Sequence, residues 1–412
     1  MKRSISLLLC LIMIMGMTAG CTQQNETKPP SDDGTDSGTK AVMAPGTYTA
    51  QAYGFSMSWP DILKVTVSED AIESIAFDEE SGSTSSMIDT VAAAMFPRIL
   101  ENQSVNVDVV TGATVTSNAA RLAIEDCIKQ ALVAAGSDES AISTFKKTPE
   151  KSDGSEELKT QVLVIGMGGS GTYTALRAAE EGAEVMVIEK QGRYGGTTAL
   201  TSEIQSINPP RVQEKYNNGE DFTDADAMYK AWTEYTEGDS KKEMLDLYFE
   251  NSGPAFDWLA LDHGAQFDFD PKPGFTPQDW YKVKFQWYPN KDPNHPDAPT
   301  YGYNKREIAS YFDKLVKDFT DLGGKYMLET EAYELITDET GTITGAKAKN
   351  RADGTEYTIK ADAVVIATGG FLGSSEMTNK YLSDEYYPLK GTWNIYGTRG
   401  NDGKMIQSAI DM

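Results

Sequence analysis

Between Gly46 and Phe77 apolar and polar residues alternate with a period of two, in Thr47-Tyr48-Thr49-Ala50, in Leu63 to Val67 and in Ile72 to Phe77. That alternation predicts three half-buried strands. A 3.6-residue period replaces it from about Asn118 to Ala135, where Ala120, Ile124, Cys127, Ile128 and Ala131 share one side and Gly136 supplies a stop, so a helix is expected there. Residues 44–136 thus read as a compact α+β unit of roughly ninety residues, an ordinary domain size. Residues 137–158 lose the periodicity and collect Ser, Asp, Glu and Lys, as a linker does.

A second domain opens with the buried-type strand Gln161 to Ile165, a helix from Ser170 to Glu181 closed by Gly182, and the buried-type strand Glu184 to Ile188, which together form a βαβ unit. Its first part spans 159–204. Residues 205–304 are longer, rich in aromatics and Pro, and carry amphipathic pieces such as Met244 to Leu261, so they read as an inserted cap with α+β character. Residues 305–412 resume the nucleotide fold. A helix from Arg306 to Leu322 places Ile308, Phe312, Leu315, Val316 and Phe319 on one face before Gly323, three short strands turn at Thr340-Gly341 and Asp353-Gly354, and the apolar strand Ala363 to Ala367 returns to the sheet. No internal repeat is visible. The expected architecture is an α+β domain, then an α/β Rossmann-like domain interrupted by a cap.

Upstream of both domains the chain has an address. Lys2 and Arg3 precede the apolar run Ile5 to Met17, which is too short to span a bilayer, and the small residues Thr18, Ala19 and Gly20 lead to Cys21. Residues 1–21 therefore read as an export signal. The ending resembles the lipobox of bacterial lipoproteins, with Thr18 in place of the usual Leu or Val, and the resemblance implies lipidation at Cys21 and anchoring on the extracytoplasmic side of the cell membrane. Residues 22–43 have almost nothing to bury and read as a disordered tether. The balance of 37 basic against 62 acidic residues, a net charge of -25, argues against nucleic-acid partners and against adhesion to anionic lipid by charge. Cys127 is the one cysteine that follows Cys21, so no disulfide framework exists, and its place on the apolar helix face makes it a small buried hydrophobe. His263, before Gly264, reads as a helix-end residue and His295 as a loop residue, and two such histidines build no metal cluster.

The densest chemical signal is Gly166-Met167-Gly168-Gly169-Ser170-Gly171, between a strand and a helix, with Glu189 ending the next strand. Glycines permit the tight turn and close backbone approach, a helix N-terminus offers free N–H groups to a pyrophosphate, and an acidic residue at that distance accepts from a ribose hydroxyl. This defines a dinucleotide site without separating NAD from FAD. Lys190 follows Glu189, Gly195-Gly196-Thr197-Thr198 forms a second tight loop, and Ala367-Thr368-Gly369-Gly370 ends the returning strand. This order resembles the FAD-dependent fumarate reductase and succinate dehydrogenase flavoprotein family over residues 160 to 412. The resemblance implies FAD, of unspecified linkage, contacted at Ser170, Glu189, Thr197, Thr198, the backbone near Ala332, and Asp402 within Gly400-Asn401-Asp402-Gly403.

A second signal is Asp108-Val109-Val110-Thr111-Gly112-Ala113-Thr114-Val115-Thr116-Ser117. By chemistry alone it is a polar turn feeding a helix, with Thr116 or Ser117 as the N-cap. It also resembles the flavin-attachment motif of FMN-binding domains in sodium-pumping and related redox complexes, with Gln103 and Ser104 at fitting positions. That resemblance implies FMN carried through a phosphoester on Thr114 and installed by a separate flavin transferase.

An FMN-binding domain ahead of this FAD fold and behind an export signal resembles the extracytoplasmic fumarate and urocanate reductases. The implied function is passage of electrons from a membrane donor through FMN and FAD to the carbon–carbon double bond of a small unsaturated carboxylate. The alternatives are a flavin-loaded electron-carrier lipoprotein and an inactive fragment. Tyr396, in Trp393-Asn394-Ile395-Tyr396, is a candidate substrate contact, and the aromatics Trp280, Tyr281, Trp287, Tyr288, Tyr301 and Tyr303 either line a cleft or pack the cap. The helical pattern of Met405, Ile406 and Ala409 runs on to Met412. The resemblance places the arginine proton donor and the carboxylate-binding His and Arg residues downstream of that point, so no catalytic acid is assigned.

Overall fold

The computed structural model describes residues 42–56, 58–83, 85–201, 203–265, 267–274, 281–287, 305–382 and 400–412. Cys21, His295, Trp280, Tyr288, Tyr301, Tyr303 and Tyr396 lie outside the described residues, as do the expected export signal and nearly all of the tether.

In the N-terminal domain β1 (Gly46–Ala52), β2 (Asp61–Val67) and β3 (Ile72–Phe77) form an antiparallel sheet in that order. Leu63 and Val65 on β2 are fully buried beneath the helices. A helix absent from the sequence reading, α1 (Ser85–Asn102), packs on β3 and buries Val91, Met95, Phe96 and Ile99. Pro97 lies inside it and a serine-rich run leads into it, which masks the helical signature. The second helix, α2 (Thr114–Ala134), packs on β1 and β2 and begins four residues earlier than its apolar period does, because its first turn is polar. Cys127 is buried in this core, its thiol pushed up to about 12 by burial. The stretch read as a linker is partly structured: a 3-10 turn over Glu139–Phe145 inserts Ile142 and Phe145 into the same core, and β4 (Ser155–Ile165) starts within its far end. Only 146–154 joins the two domains outside regular elements.

The second domain is a six-stranded mixed sheet. β4 is flanked by β5 (Val185–Ile188) and by β12 (Glu356–Ile366), both parallel to it, with β9 (Lys325–Met327) beyond β5. The strands β10 (Thr330–Thr337) and β11 (Ile343–Asn350) extend the β12 edge antiparallel. The third meander strand and the returning strand, expected as two, are one: β12 pairs with β11 through Glu356–Lys360 and with β4 along its whole length, so nothing breaks it. Helix α3 (Gly169–Glu180) crosses from β4 to β5, and α7 (Lys305–Asp321) packs beside it. Between them, β6 (Glu203–Gln205), α4 (Pro210–Tyr216), α5 (Ala225–Tyr235), α6 (Lys242–Asp257) with its π-helical extension to Asp262, β7 (Lys272–Pro273) and β8 (Lys282–Gln286) fill the inserted region. Phe256, Phe267 and Phe285 from this region share one buried cluster with Val164, Leu176, Leu315 and Phe319, so the insertion and the nucleotide fold have a continuous core. Trp287 stacks on Phe267 with ring centroids 4.3 Å apart and Tyr281 packs against the cluster around Val283, which gives both aromatics packing roles. Two short helices, α8 (Ser375–Tyr381) and α9 (Lys404–Ile410), complete the described chain.

Candidate functional site

The turn after β4 is built by contact distances. Gly166 has φ +102°, and a Cβ there would lie 2.5 Å from the Ala367 carbonyl oxygen. A Cβ on Gly171 would lie 1.9 Å from the Gly166 carbonyl oxygen, so α3 can start this close to the turn only with glycine in its first turn. No side chain caps α3, whose N-cap is Gly168, and its first N–H groups open into a cavity of about 400 Å³. Across it, Gly195 donates its N–H to the Met167 carbonyl at 2.8 Å and brings Gly196 against Gly168. Gly196, Thr197 and Thr198 thereby become a second wall.

Most residues expected to hold the dinucleotide meet here. Gly166, Gly168, Gly169, Ser170, Glu189, Lys190, Gly196, Thr197, Thr198, Ala332, Thr368, Gly369 and Asp402 line the cavity. Gly171, Gly195 and Gly370 do not. The first two shape its wall from behind, and a Cβ on Gly370 would meet nothing within 4 Å, so no neighbouring protein atom requires glycine there. Gln191, Thr330, Glu331, Lys404 and Met405 line the cavity without having been anticipated; Gln191 and Lys404 directly extend the Glu189-Lys190 and Asp402-Gly403 signals.

The polar chemistry suits a dinucleotide. Thr368 Oγ1 is buried with no protein partner, the kind of orphan a ligand satisfies. The Glu189 carboxylate accepts the Met167 N–H at 2.7 Å on one oxygen and the Gln191 N–H at 2.8 Å on the other, leaving lone pairs for a hydroxyl. Burial pushes its pKa above the ordinary value, against the pull of those two N–H groups. Lys190 pairs with Asp402 at 3.1 Å. Burial opposes ionisation of Asp402, but Lys190 and Lys404 outweigh it and hold the carboxyl below its ordinary range.

The flavin-attachment motif folds as a turn and a helix start. Gly112 takes φ +91°, Ala113 is the N-cap without a side-chain bond, and Thr114 is the exposed first residue of the 21-residue α2. Neither Thr116 nor Ser117 is the N-cap that local chemistry suggested. Both are buried: Thr116 Oγ1 lies 3.1 Å from Ser83 Oγ, and Ser117 Oγ accepts the Val110 N–H at 3.2 Å. Ser83 is in turn fixed by the buried Asp61, which accepts its N–H and its hydroxyl, each at 2.7 Å. Of the hydroxyls in the first turn of α2, that of Thr114 is the exposed one, at a helix start without a side-chain cap. Asp108 is exposed and pairs with Lys151. Gln103 and Ser104 are structural, bonding to the Ile72 backbone and the Lys147 carbonyl. The Thr111 carbonyl accepts the Gly192 N–H at 3.0 Å, so the motif touches the segment that follows Glu189.

His263 does more than end a helix. It is buried, with Nε2 2.9 Å from Glu180 on α3 and Nδ1 3.2 Å from Asp318 on α7.

A parallel-stranded βαβ unit with a glycine turn, an uncapped helix and a ribose-positioned glutamate defines a dinucleotide-binding protein. The chain belongs to the FAD binding domain family, which it matches over residues 161–411, and it also carries an FMN-binding domain, matched over residues 60–129. It is 31% identical to the urocanate reductase of Eggerthella lenta over 69% of this chain and 43% of that protein. It is 28% identical to the NADH:acrylate oxidoreductase of Vibrio harveyi over 82% of this chain and 36% of that one. It is 26% identical to a fumarate reductase (cytochrome) of Shewanella frigidimarina over 53% of this chain and 34% of that one. The chain thus covers less than half the length of each of these relatives.

Proposed function

We propose that this chain serves a flavin-dependent reductase acting on the carbon–carbon double bond of a small unsaturated carboxylate of the urocanate, acrylate or fumarate type. The observation that carries this reading is the meeting of two flavin-type sites in one fold, an exposed threonine at an uncapped helix start and an uncapped dinucleotide cavity, joined by residues 189–192. In FMN attachment the Thr114 hydroxyl oxygen would displace the activating group from a flavin phosphate donor supplied by the transferase, the bond from phosphorus to that leaving group breaking and the hydroxyl proton being lost, and the free N–H groups of the first turn of α2 would stabilise the phosphate. In the cavity the start of α3 would hold the pyrophosphate, Glu189 would accept from the adenosine ribose, and the unpartnered Thr368 hydroxyl would bond to the cofactor. Bound FAD supplies hydride chemistry toward a double bond polarised by a carboxylate, and FMN supplies the electron relay. The electron donor is membrane-bound, a flavin transferase loads Thr114, and a lipid on Cys21 keeps the protein on the extracytoplasmic face. The relatives' names and the two matched domains support the substrate class.

The test uses protein that carries this chain together with the proton-donor and carboxylate-binding residues expected beyond Met412, co-expressed with a flavin transferase and supplied with reduced viologen. Oxidation of viologen on addition of urocanate, acrylate or fumarate is expected for at least one of them. Such a protein, loaded with both flavins, that oxidises viologen with none of the three overturns the reading, whereas residues 1–412 alone are expected to bind the flavins without reducing any of the three. In cell fractionation, Cys21→Ser should move the protein out of the membrane fraction.

A further inference from the structure

The segment Glu189 to Arg193 belongs to two sites at once. Glu189 and Gln191 line the dinucleotide cavity, and the Glu189 carbonyl accepts the N–H of Thr330, another lining residue, at 2.8 Å. Gly192 faces the other way. Beyond its bond to the Thr111 carbonyl, it is packed so tightly that a Cβ would lie 2.1 Å from Val110 Cγ1. The Gln191 amide lies between: its Oε1 is 3.1 Å from a Cβ built on Gly112 in the attachment turn, and its Nε2 is 2.7 Å from a Cβ built on Gly400 in the cavity wall. Arg193 donates to Met87 Sδ of α1 at 3.7 Å.

The segment also has an orientation relative to the ligand. With a pyrophosphate at the start of α3 and a ribose on Glu189, the neighbouring lining residues Gln191, Thr330 and Ala332 would lie on the adenosine side of the cavity. The attachment turn therefore docks at the adenosine end of the cavity.

Glu329 ties this end to the N-terminal domain a second time. It has φ +53°, a left-handed conformation that a glutamate holds only where its surroundings over-determine it. Those surroundings are explicit. Its N–H bonds to the Gln191 carbonyl at 2.9 Å, its carbonyl accepts the Arg351 N–H at 2.7 Å, and its carboxylate pairs with Arg98 on α1. Both side chains of that pair are largely withdrawn from water, at 20% and 9% exposure, and the next residue is Thr330.

We propose that FAD occupancy and docking of the FMN-binding domain are one linked equilibrium, with Arg98, Glu329 and Gln191 as the positioning residues that transmit it. Adenosine bound at Glu189 stiffens the segment on which the attachment turn rests, and docking in turn holds Glu329 and Thr330 in the shape that receives adenosine. The linkage is reciprocal, so whatever factor FAD contributes to docking, docking contributes to FAD affinity. This rests on the reading that the cavity takes FAD with its adenosine ribose on Glu189.

The experiment uses the full chain stripped of FAD, with FAD and ADP as probes and two readouts: FAD affinity by fluorescence, and trypsin cleavage at Lys146, Lys147 and Lys151 in the interdomain connection. FAD is expected to slow this cleavage, and ADP, which carries the adenosine half alone, to slow it as well. Arg98→Ala should speed cleavage and weaken FAD by about fivefold or more, the lower range of allosteric coupling. The charge-swapped pair Arg98→Glu with Glu329→Arg should recover both, which a generally damaged fold would not. If Arg98→Ala does not fold, Gly192→Ala, which drives a methyl into Val110, takes its place with the same readouts. Cleavage indifferent to FAD, or a variant that opens the connection while its FAD affinity stays unchanged, overturns the linkage. A parent chain that binds no FAD overturns the reading of the cavity instead, and the two failures are distinct.

Discussion

Glu189 is a residue where burial and hydrogen bonding pull against each other, and the balance has a pH signature. Loss of hydration lifts its pKa above the ordinary 4.5 despite the N–H groups of Met167 and Gln191. A raised folded-state pKa means that the chain without ligand draws stability from this group below the ordinary value and loses it as pH rises through the raised one. FAD has the opposite preference, since a ribose hydroxyl donates best to the ionised carboxylate. FAD affinity should therefore fall on acidification, beginning above the ordinary glutamate range. Glu189→Gln should flatten that profile and weaken FAD at neutral pH by about tenfold or more, as loss of a charge-assisted bond worth roughly 1.5–3 kcal/mol implies; a binding titration across pH in both proteins decides it, and a profile unchanged by the substitution removes Glu189 from the ribose. Gly166 and Gly370 give a paired contrast. Gly166→Ala forces a methyl to 2.5 Å from the Ala367 carbonyl at φ +102°, so FAD content should be lost, whereas Gly370→Ala meets nothing within 4 Å and should keep its full FAD content. Equal FAD content in the two variants would contradict the packing argument.

Among the elements, those with an unbroken period were readable from the chain and those whose period is masked were not. The strands of the first sheet, the βαβ unit and α7 announce themselves through alternation or a 3.6-residue stripe ended by glycine. α1 does not, because Pro97 and flanking serines break the pattern while Met95, Phe96 and Ile99 still find a core, an override of local preference by tertiary packing. The His263 clamp was equally illegible, since its partners Glu180 and Asp318 stand far away in sequence on α3 and α7. Burial opposes ionisation of both carboxylates, yet their bonds to Arg177, Trp258, Lys314 and His263 hold both pKa values below the ordinary ones. Depressed carboxylates contribute stability that is present above their ordinary values, 4.5 and 3.8, and is lost as pH falls further. His263→Ala should therefore cost about 1.5–3 kcal/mol near neutral pH and lower the thermal midpoint. The difference from the parent should shrink in acid, which melting curves at the two pH values would measure, and an unchanged midpoint at neutral pH would mean that the clamp holds nothing together.

For the whole molecule, domain order was legible because each cofactor motif is local: ten residues, Asp108 to Ser117, define the attachment turn and a βαβ unit defines the cavity. Docking was not, because it is made by Arg98, Thr111, Gln191 and Glu329, polar residues scattered along the chain with no periodicity to connect them. The two domains nevertheless have separate buried clusters, one confined to residues between Met43 and Phe145 and the others formed beyond Leu158. This separation predicts how a loss in one domain propagates. Thr114→Ala removes an exposed hydroxyl that makes no packing contribution to the first cluster, so the chain should fold, dock and bind FAD as before. Its denatured form, after co-expression with a flavin transferase, should carry no flavin fluorescence on a gel, while native protein still releases one FAD per chain. Thr116→Ala should keep the covalent flavin, because the Thr116 hydroxyl is buried against Ser83 and unavailable to a transferase. Electron delivery separates the two sites further: under the proposed route through FMN, FAD in Thr114→Ala should be reduced by dithionite as in the parent but lose its fast reduction by a protein or quinol donor. Covalent fluorescence surviving in Thr114→Ala and vanishing in Thr116→Ala would move the attachment point two residues along the helix and would require that the first turn of α2 open before flavin is loaded.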